Sequence, residues 1–275
     1  MLLRVGSRGS RLALTQAELA AERLRGPGIE LALVPITTVG DRDRSKPFGE
    51  IGARGVFVKE LEEALLLGRI DIAVHSAKDM TSTDSEGLAV GAYLPRDDPR
   101  DALCGVERLE PGMRVGTASV RRRAQLLVLE PNLRIEPLRG NVETRLRKRG
   151  ERGLDAVVLA ACGLDRLGLA REIGHRFEPD EMLPEAGQGA LALQVRRGDE
   201  ELVAGADDAE TRRRVQAERA VVSRIGGGCL APVAAHHDGE TLTALVADED
   251  GKWIERRSGD DPEALAAELA RFARA

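Results

Sequence analysis

Leu2-Leu3-Arg4-Val5-Gly6 passes through Ser7-Arg8-Gly9-Ser10 into Leu12-Ala13-Leu14-Thr15-Gln16-Ala17-Glu18-Leu19-Ala20, a strand pattern turning directly into a helix pattern. The strand is short and apolar. The helix runs from about Leu12 to Arg25, with Ser10 placed to cap it and Gly26-Pro27 to stop it. The same alternation continues outward. Glu30–Thr37 reads as a strand, Val56–Leu67 as a helix closed by Gly68, and Ile70–His75 and Leu88–Tyr93 as further strands. A βαβα order of this kind predicts an α/β fold: a largely parallel sheet with helices on both faces.

Pro95–Asp101, polar and rigid, breaks the pattern and reads as a crossing into a second domain. There the theme repeats, with strands at Met113–Gly116, Arg134–Leu138 and Asp155–Ala160 and helices at Val120–Leu129 and Val142–Arg149. Leu183–Gly189 is a second break, after which Ala190–Arg196 is expected to return to the first domain as a strand. The pattern changes again from Asp208. A helix (Glu210–Ile225), three strands (231–237, 241–248, 252–258) and a closing helix from Pro262 predict a small α+β domain. The expected division is therefore 1–95 with 189–206, then 96–188, then 207–275. Two α/β lobes joined by two crossings predict a ligand cleft at the carboxyl ends of their strands.

Of 275 residues, 42% are hydrophobic and 32% charged, as in a globular protein. Only 2% are aromatic, so the cores must be built from Leu, Val, Ala and Ile. No apolar run approaches the roughly 20 residues of a membrane helix, and the N-terminus lacks the layout of a signal peptide. A cytoplasmic protein with no membrane partner is expected. Three cysteines, Cys104, Cys162 and Cys229, are odd in number and far apart, which argues against a disulfide framework. No His/Cys grouping has metal-site spacing, so no metal is expected. His236-His237 reads as a solvated turn before Asp238-Gly239.

Five of the 41 basic residues are lysine and the other 36 are arginine, although the net charge is −5. An acidic chain poor in aromatics is a poor candidate for binding nucleic acid. The placing of the arginines carries more information than their number, since a guanidinium grips carboxylate or phosphate bidentately. Arg121, Arg122 and Arg123 occupy the first turn of a helix, where the dipole disfavours cations unless an anion sits among them. Thr117 and Ser119 add hydroxyls. Arg139 and Asn141 stand at the next strand-to-helix turn, with Arg145 one turn on along the same face. Arg8 precedes the first helix in the same manner, and Arg166 follows the strand that ends near Ala160. Together, at the strand ends of two lobes, these groups describe a cleft lined with guanidinium groups, a site for an anion.

Two further features carry chemistry. Ser76-Ala77-Lys78-Asp79 follows an apolar strand and puts a hydroxyl, an ammonium and a carboxylate at its end. An acidic residue among arginines would repel an anion, so Asp79 is expected to meet a cationic part of the substrate. Gly226-Gly227-Gly228-Cys229 leaves a thiol unshielded behind three glycines. A buried structural cysteine is the commoner outcome, and a nucleophile or attachment point is the alternative.

At these segments the chain resembles the porphobilinogen deaminase family, collinearly over nearly its whole length. The resemblance runs through Arg8 and Ser10, Gly55–Leu61, His75–Asp79, Asp98–Asp101, Gly116–Arg122, Leu138–Val142, Leu183–Ala190 and Gly226–Cys229. It implies two periplasmic-binding-protein-like lobes with a third small domain, and a monomer. It also implies a transferase that joins four porphobilinogen molecules head to tail, releasing ammonia, and hydrolyses off hydroxymethylbilane. By the same resemblance Cys229 anchors a dipyrromethane cofactor through a thioether, and Asp79 is the catalytic aspartate beside the pyrrole nitrogens. Arg8, Ser10, Ser76, Lys78, Thr117, Ser119, Arg121, Arg122, Arg139, Asn141, Arg145, Arg166 and Gln188 match cofactor- and substrate-binding positions, and Phe57 an aromatic one. The sequence departs from the family where Met80-Thr81 replaces an aliphatic residue and proline after Asp79. A two-lobed anion receptor would share the architecture but would need neither Cys229 nor Asp79.

Overall fold

The computed structural model describes residues 1–37, 58–80, 85–226 and 232–273. Contacts group them into two units, Met1–Asp97 with Ala190–Arg213, and Asp98–Gly189 with Arg214–Ala275.

The first unit opens with strand β1 (Leu2–Arg8) and helix α1 (Arg11–Leu24), then β2 (Glu30–Ile36), α2 (Lys59–Leu66), β3 (Ile72–Ser76) and β4 (Leu88–Tyr93). A later strand, Leu191–Arg196, joins the same sheet, as the sequence predicts. It lies between β3 and β4 and runs antiparallel to both, while β1, β2 and β3 are parallel. Four strands of five thus share one direction. Ser10 caps α1, its Oγ accepting from Ala13 N at 3.3 Å. Helices cover both faces of this sheet. Ile72 and Val74 pack with Ala17, Ala20 and Leu24 of α1, whereas Ala73 between them packs with Leu61, Ala64 and Leu65 of α2. Gly6 permits a close approach at the centre: a Cβ there would lie 2.4 Å from Ile70 Cδ1.

The second unit repeats this topology. Its strands β5 (Asp101–Cys104), β6 (Arg114–Gly116), β7 (Arg134–Glu136), β8 (Ala156–Ala160) and β9 (Ile173–Arg176) form a sheet in the order β7-β6-β8-β5-β9, with β5 the antiparallel member. In both sheets the reversed strand is the one that follows a crossing. Helix α3 (Val120–Leu129) matches its sequence-predicted span. It lies on the face of Val115, Ala156 and Val158, while α4 (Val142–Glu151) and α5 (Ala161–Arg166) lie on that of Val157 and Leu159. The short elements β5, β9 and α5 are absent from the sequence reading.

The remaining strands follow in order as β10 (Leu191–Arg196), already placed, then β11 (Val233–His237), β12 (Leu242–Ala247) and β13 (Ile254–Gly259). The last three form an antiparallel sheet flanked by α6 (Ala209–Ile225) and α7 (Pro262–Ala273). Its other face packs on Ala124 of α3 and on Leu183. One sequence expectation fails here. His236 and His237 are not in a solvated turn but are buried within β11, where the backbone N of His237 donates to the fully buried Glu218 at 2.8 Å.

Candidate active site

In the first unit β1 and β3 are neighbours, paired Val5 to Ile72 and Gly6 to Ala73. Their carboxyl ends therefore carry Arg8 and Ser76 to one edge of the sheet, the position where α/β folds hold ligands. A pocket opens there, lined by Arg8, Ser10, Leu12, Ala13, Gln16, Val58, Leu61, Val74, His75, Ser76 and Asp79. Asp79 ends a single 3-10 turn (Ala77–Asp79) and is exposed. Ala77 N donates to Ala190 O at 3.0 Å, and Met80 N to Ala77 O at 3.4 Å. Ala77 and Met80 are both buried, at 1% and 4% exposure, so the turn carrying Asp79 is fixed on each side. Met80 fills the aliphatic position by packing, and Thr81 lies outside the described residues.

The polar groups of this pocket are ordered from behind. Gln16 Nε2 reaches Ser76 Oγ at 3.5 Å. Buried His75 meets Gln194 Oε1 through Nε2 at 3.0 Å, while Gln194 Nε2 donates to Glu62 Oε1 at 2.9 Å. The Glu62 carboxylate fixes the direction of the amide, so Nε2 of His75 is the protonated nitrogen. Lys78 is half-buried beside Asp79.

In the second unit the turn after β6 starts α3. Ser119 caps it, its Oγ accepting from Arg122 N at 3.4 Å, and buried Thr117 accepts from Ser119 N at 3.2 Å. Arg121 and Arg122 are not turned to solvent. They are 3% and 5% exposed and flank Asp101, which is fully buried. Arg122 Nη2 and Nε reach Asp101 Oδ1 at 2.7 and 3.0 Å, and Arg121 Nη2 approaches Oδ2 to 2.7 Å. Arg121 Nη1 also donates to Leu183 O at 2.7 Å, and Arg122 Nη1 to Val158 O at 3.1 Å. Gln188 is equally buried, and its Nε2 donates to Asp101 Oδ1 at 2.9 Å and to Pro99 O at 2.7 Å. The turn does hold an anion, as its cations require, but one supplied by the protein itself. The anion between Arg121 and Arg122 is a carboxylate of the same unit, invisible locally because it lies 20 and 21 residues upstream. Burial would raise the Asp101 pKa, but the fields of Arg121 and Arg122 and the bond from Arg122 hold it far below the usual carboxylate range.

The second cluster of the unit is more open. Asn141 caps α4, accepting from Thr144 N at 2.8 Å, while Arg145 Nε donates to Gly140 O at 2.7 Å. Gly140 has φ +130°, a conformation other residues rarely adopt, and a Cβ there would meet Thr144 at 2.6 Å. Arg139 is half-buried on the same turn, its carbonyl accepting from Lys148 Nζ at 3.1 Å. Arg166 closes α5 and donates to Gly189 O at 2.6 Å; its neighbour Asp165 is held bidentately by Arg176 at 2.7 and 2.9 Å. Cys229 and Phe57 lie outside the described residues, whereas Cys104 and Cys162 are buried. Sequence reasoning assigned no role to Asp101. Its one signal is its place at the end of the Asp98-Pro99-Arg100-Asp101 segment, opening an apolar strand where a charge needs a partner.

Fold and site together define an α/β protein whose first unit places an exposed acid in a pocket that also carries a cation and hydroxyls. Residues 3–204 match the model of the porphobilinogen deaminase dipyrromethane cofactor-binding domain, and residues 212–273 that of the porphobilinogen deaminase C-terminal domain. A porphobilinogen deaminase of Syntrophotalea carbinolica is 47% identical over 286 residues, covering 98% of this chain and 91% of the relative. That of Bacillus subtilis is 42% identical at the same coverages. Among solved structures the methionine-binding protein MetQ is similar at TM-score 0.48 and 15% identity, over 77% of this chain and 92% of that one. The chain belongs to the porphobilinogen deaminase family. It is a transferase that condenses porphobilinogen into hydroxymethylbilane in tetrapyrrole biosynthesis and uses a dipyrromethane cofactor.

The pocket of the first unit fits such a group chemically. Arg8, Ser10 and Ser76 suit carboxylates, Asp79 suits a pyrrole N–H, and Leu12, Val58, Leu61 and Val74 offer apolar contact to ring faces. Among the described residues no helix is long and apolar enough to cross a membrane.

Proposed function

We propose that Asp79 is the catalytic carboxylate of this transferase and that Cys229 holds the dipyrromethane through a thioether. The observation carrying this reading is the exposed Asp79 on a fixed turn, in one pocket with Arg8, Ser10, His75 and Ser76. When bound, the dipyrromethane supplies the nucleophilic pyrrole carbon and stays tethered as product leaves. Departure of ammonia from porphobilinogen builds positive charge on its pyrrole nitrogen. Asp79 stabilises that charge and accepts, then returns, a proton at the ring. In the same reading Arg8, Ser10, Ser76 and Lys78 take the acetate and propionate groups within the first unit, with Phe57 against a ring. In the second, Thr117, Ser119, Arg139, Asn141, Arg145 and Arg166 do so, and Arg121, Arg122 and Gln188 act from their places around Asp101. Each added pyrrole brings two carboxylates, which accounts for the density of guanidinium groups.

The finer organisation follows the same reading: domains 1–95 with 189–206, 96–188 and 207–275, and a cytoplasmic monomer with porphobilinogen as its small-molecule partner. Three separate sheets and two family models meeting between 204 and 212 support the division. The test is Asp79→Asn in holoenzyme of verified mass. We expect kcat to fall by about 10²- to 10⁴-fold, as for loss of an acid–base group, with melting unchanged. A kcat within threefold of wild type, on the order of 0.7 kcal/mol in the barrier, removes Asp79 from the chemistry.

A further inference from the structure

Two buried cations share one buried anion in the second unit, so the cluster Arg121–Asp101–Arg122 carries a net positive charge largely withdrawn from water. The two guanidiniums are not held alike. Arg122 grips Oδ1 through two nitrogens. Arg121 Nη2 lies 2.7 Å from Oδ2 but out of hydrogen-bond alignment, and its Nε has no partner among the described residues. A stable, purely internal salt bridge would use these donors, since an unmet buried N–H is costly. The arrangement instead suits an acceptor arriving from outside the cluster, with Asp101 fixing the two cations that receive it.

We propose that Asp101 is the positioning residue for the substrate carboxylates. Its charge holds Arg121 and Arg122 in place, and their surplus positive charge meets an acetate or propionate of porphobilinogen or of the growing chain. Asp101 itself touches no substrate. The proposal rests on the reading in which Arg121 and Arg122 bind those carboxylates. It adds to that reading the group on which their placement depends.

The test is Asp101→Asn, which keeps the shape of the side chain and an acceptor for Gln188 while removing the charge. Melting, intact mass, KM and kcat are measured on the full chain. Positioning predicts a KM for porphobilinogen raised on the order of tenfold or more, with kcat changed about threefold or less, in a folded protein. Folded protein that fails to load the cofactor supports the proposal in the same way, because the same arginines would hold its carboxylates. A lower melting point with KM and kcat unchanged overturns it, leaving Asp101 a purely structural ion.

If Asp101→Asn does not fold, Arg121→Met and the double variant Asp101→Asn/Arg121→Met decide. The double variant has the buried net charge of wild type and Arg121→Met alone is neutral, so charge by itself would lower KM in the double variant, whereas the loss of the Arg122 anchor would raise it. A higher KM in the double variant supports positioning, and an equal or lower one overturns it. Wild-type KM and full cofactor loading in both Arg121→Met and Arg122→Met would instead show that these arginines do not bind carboxylates. That outcome removes the underlying reading and the proposal with it, and it is distinct from a failure of Asp101 alone.

Discussion

Asp71 precedes β3, the strand that leads to the Asp79 turn, and Asp71→Asn tests how that strand is held. Its carboxylate accepts from Arg4 N and Nε, both at 2.9 Å, and from Arg4 Nη2 at 2.8 Å; Arg196 Nη2 adds a bond at 3.3 Å. Three strands are thereby tied at one point. The Arg4 side-chain bonds are the main cause that lowers the Asp71 pKa from 3.8 to about 2, against an opposing effect of burial. That drop corresponds to roughly 2 kcal/mol of stability. Arg4 is 40% exposed, so solvent screens part of it, and about 1.4 kcal/mol, a tenfold change, is expected. The sign follows from the direction of the shift. A carboxylate with its pKa lowered by folding stabilises above about pH 4, and the gain is lost as pH falls toward 2. Native-state hydrogen exchange of β1 and β3 amides reports this unit directly. The variant should lose about tenfold in protection at pH 7 relative to wild type, and the two should converge near pH 2. A difference below about threefold at pH 7, or one that persists unchanged at pH 2, would refute the reasoning.

Two further outcomes follow from burial. Met80→Ala should cost about 2–5 kcal/mol in unfolding experiments, because the side chain is 4% exposed, and should reduce kcat by releasing the turn that aims Asp79; full activity at a lowered melting point would separate the turn from the chemistry. Burial pushes the Cys104 thiol up to about 12, and Cys162 is 5% exposed, so neither should react with a disulfide reagent at pH 8 until the protein is unfolded. Rapid modification of either in the native state would contradict the packing of the second unit.

Much of the architecture is legible because its signals are local. Ser10 announces the start of α1 by residue type, and its side chain accepts the expected backbone N–H. Ser119 and Asn141, read from the sequence only as polar groups at helix-starting turns, cap α3 and α4 in the same way. Leu88–Tyr93 and Val120–Leu129 keep their bounds because apolar periodicity and clear stops coincide. Asp101–Cys104 escapes because a four-residue strand buried on both faces has no alternation to read. Ala161–Arg166 escapes because six residues containing a glycine, with no capping side chain, resemble a turn. The reversed direction of β5 and β10 is a property of the crossings and is not written in the strands. Likewise, the first turn of α3 reads correctly as a place that needs an anion, but Asp101 answers that need through tertiary structure alone. His236-His237 fails for a related reason: the carboxylate that accepts from the His237 backbone belongs to Glu218, on another element.

The attachment of the cofactor through Cys229 is tested most directly by the intact mass of the full-length protein beside a Cys229→Ser variant. The account predicts an excess equal to two linked pyrrole units in the wild type and none in the variant. A wild type with no excess after incubation with porphobilinogen, or a variant that carries the same excess, would contradict it.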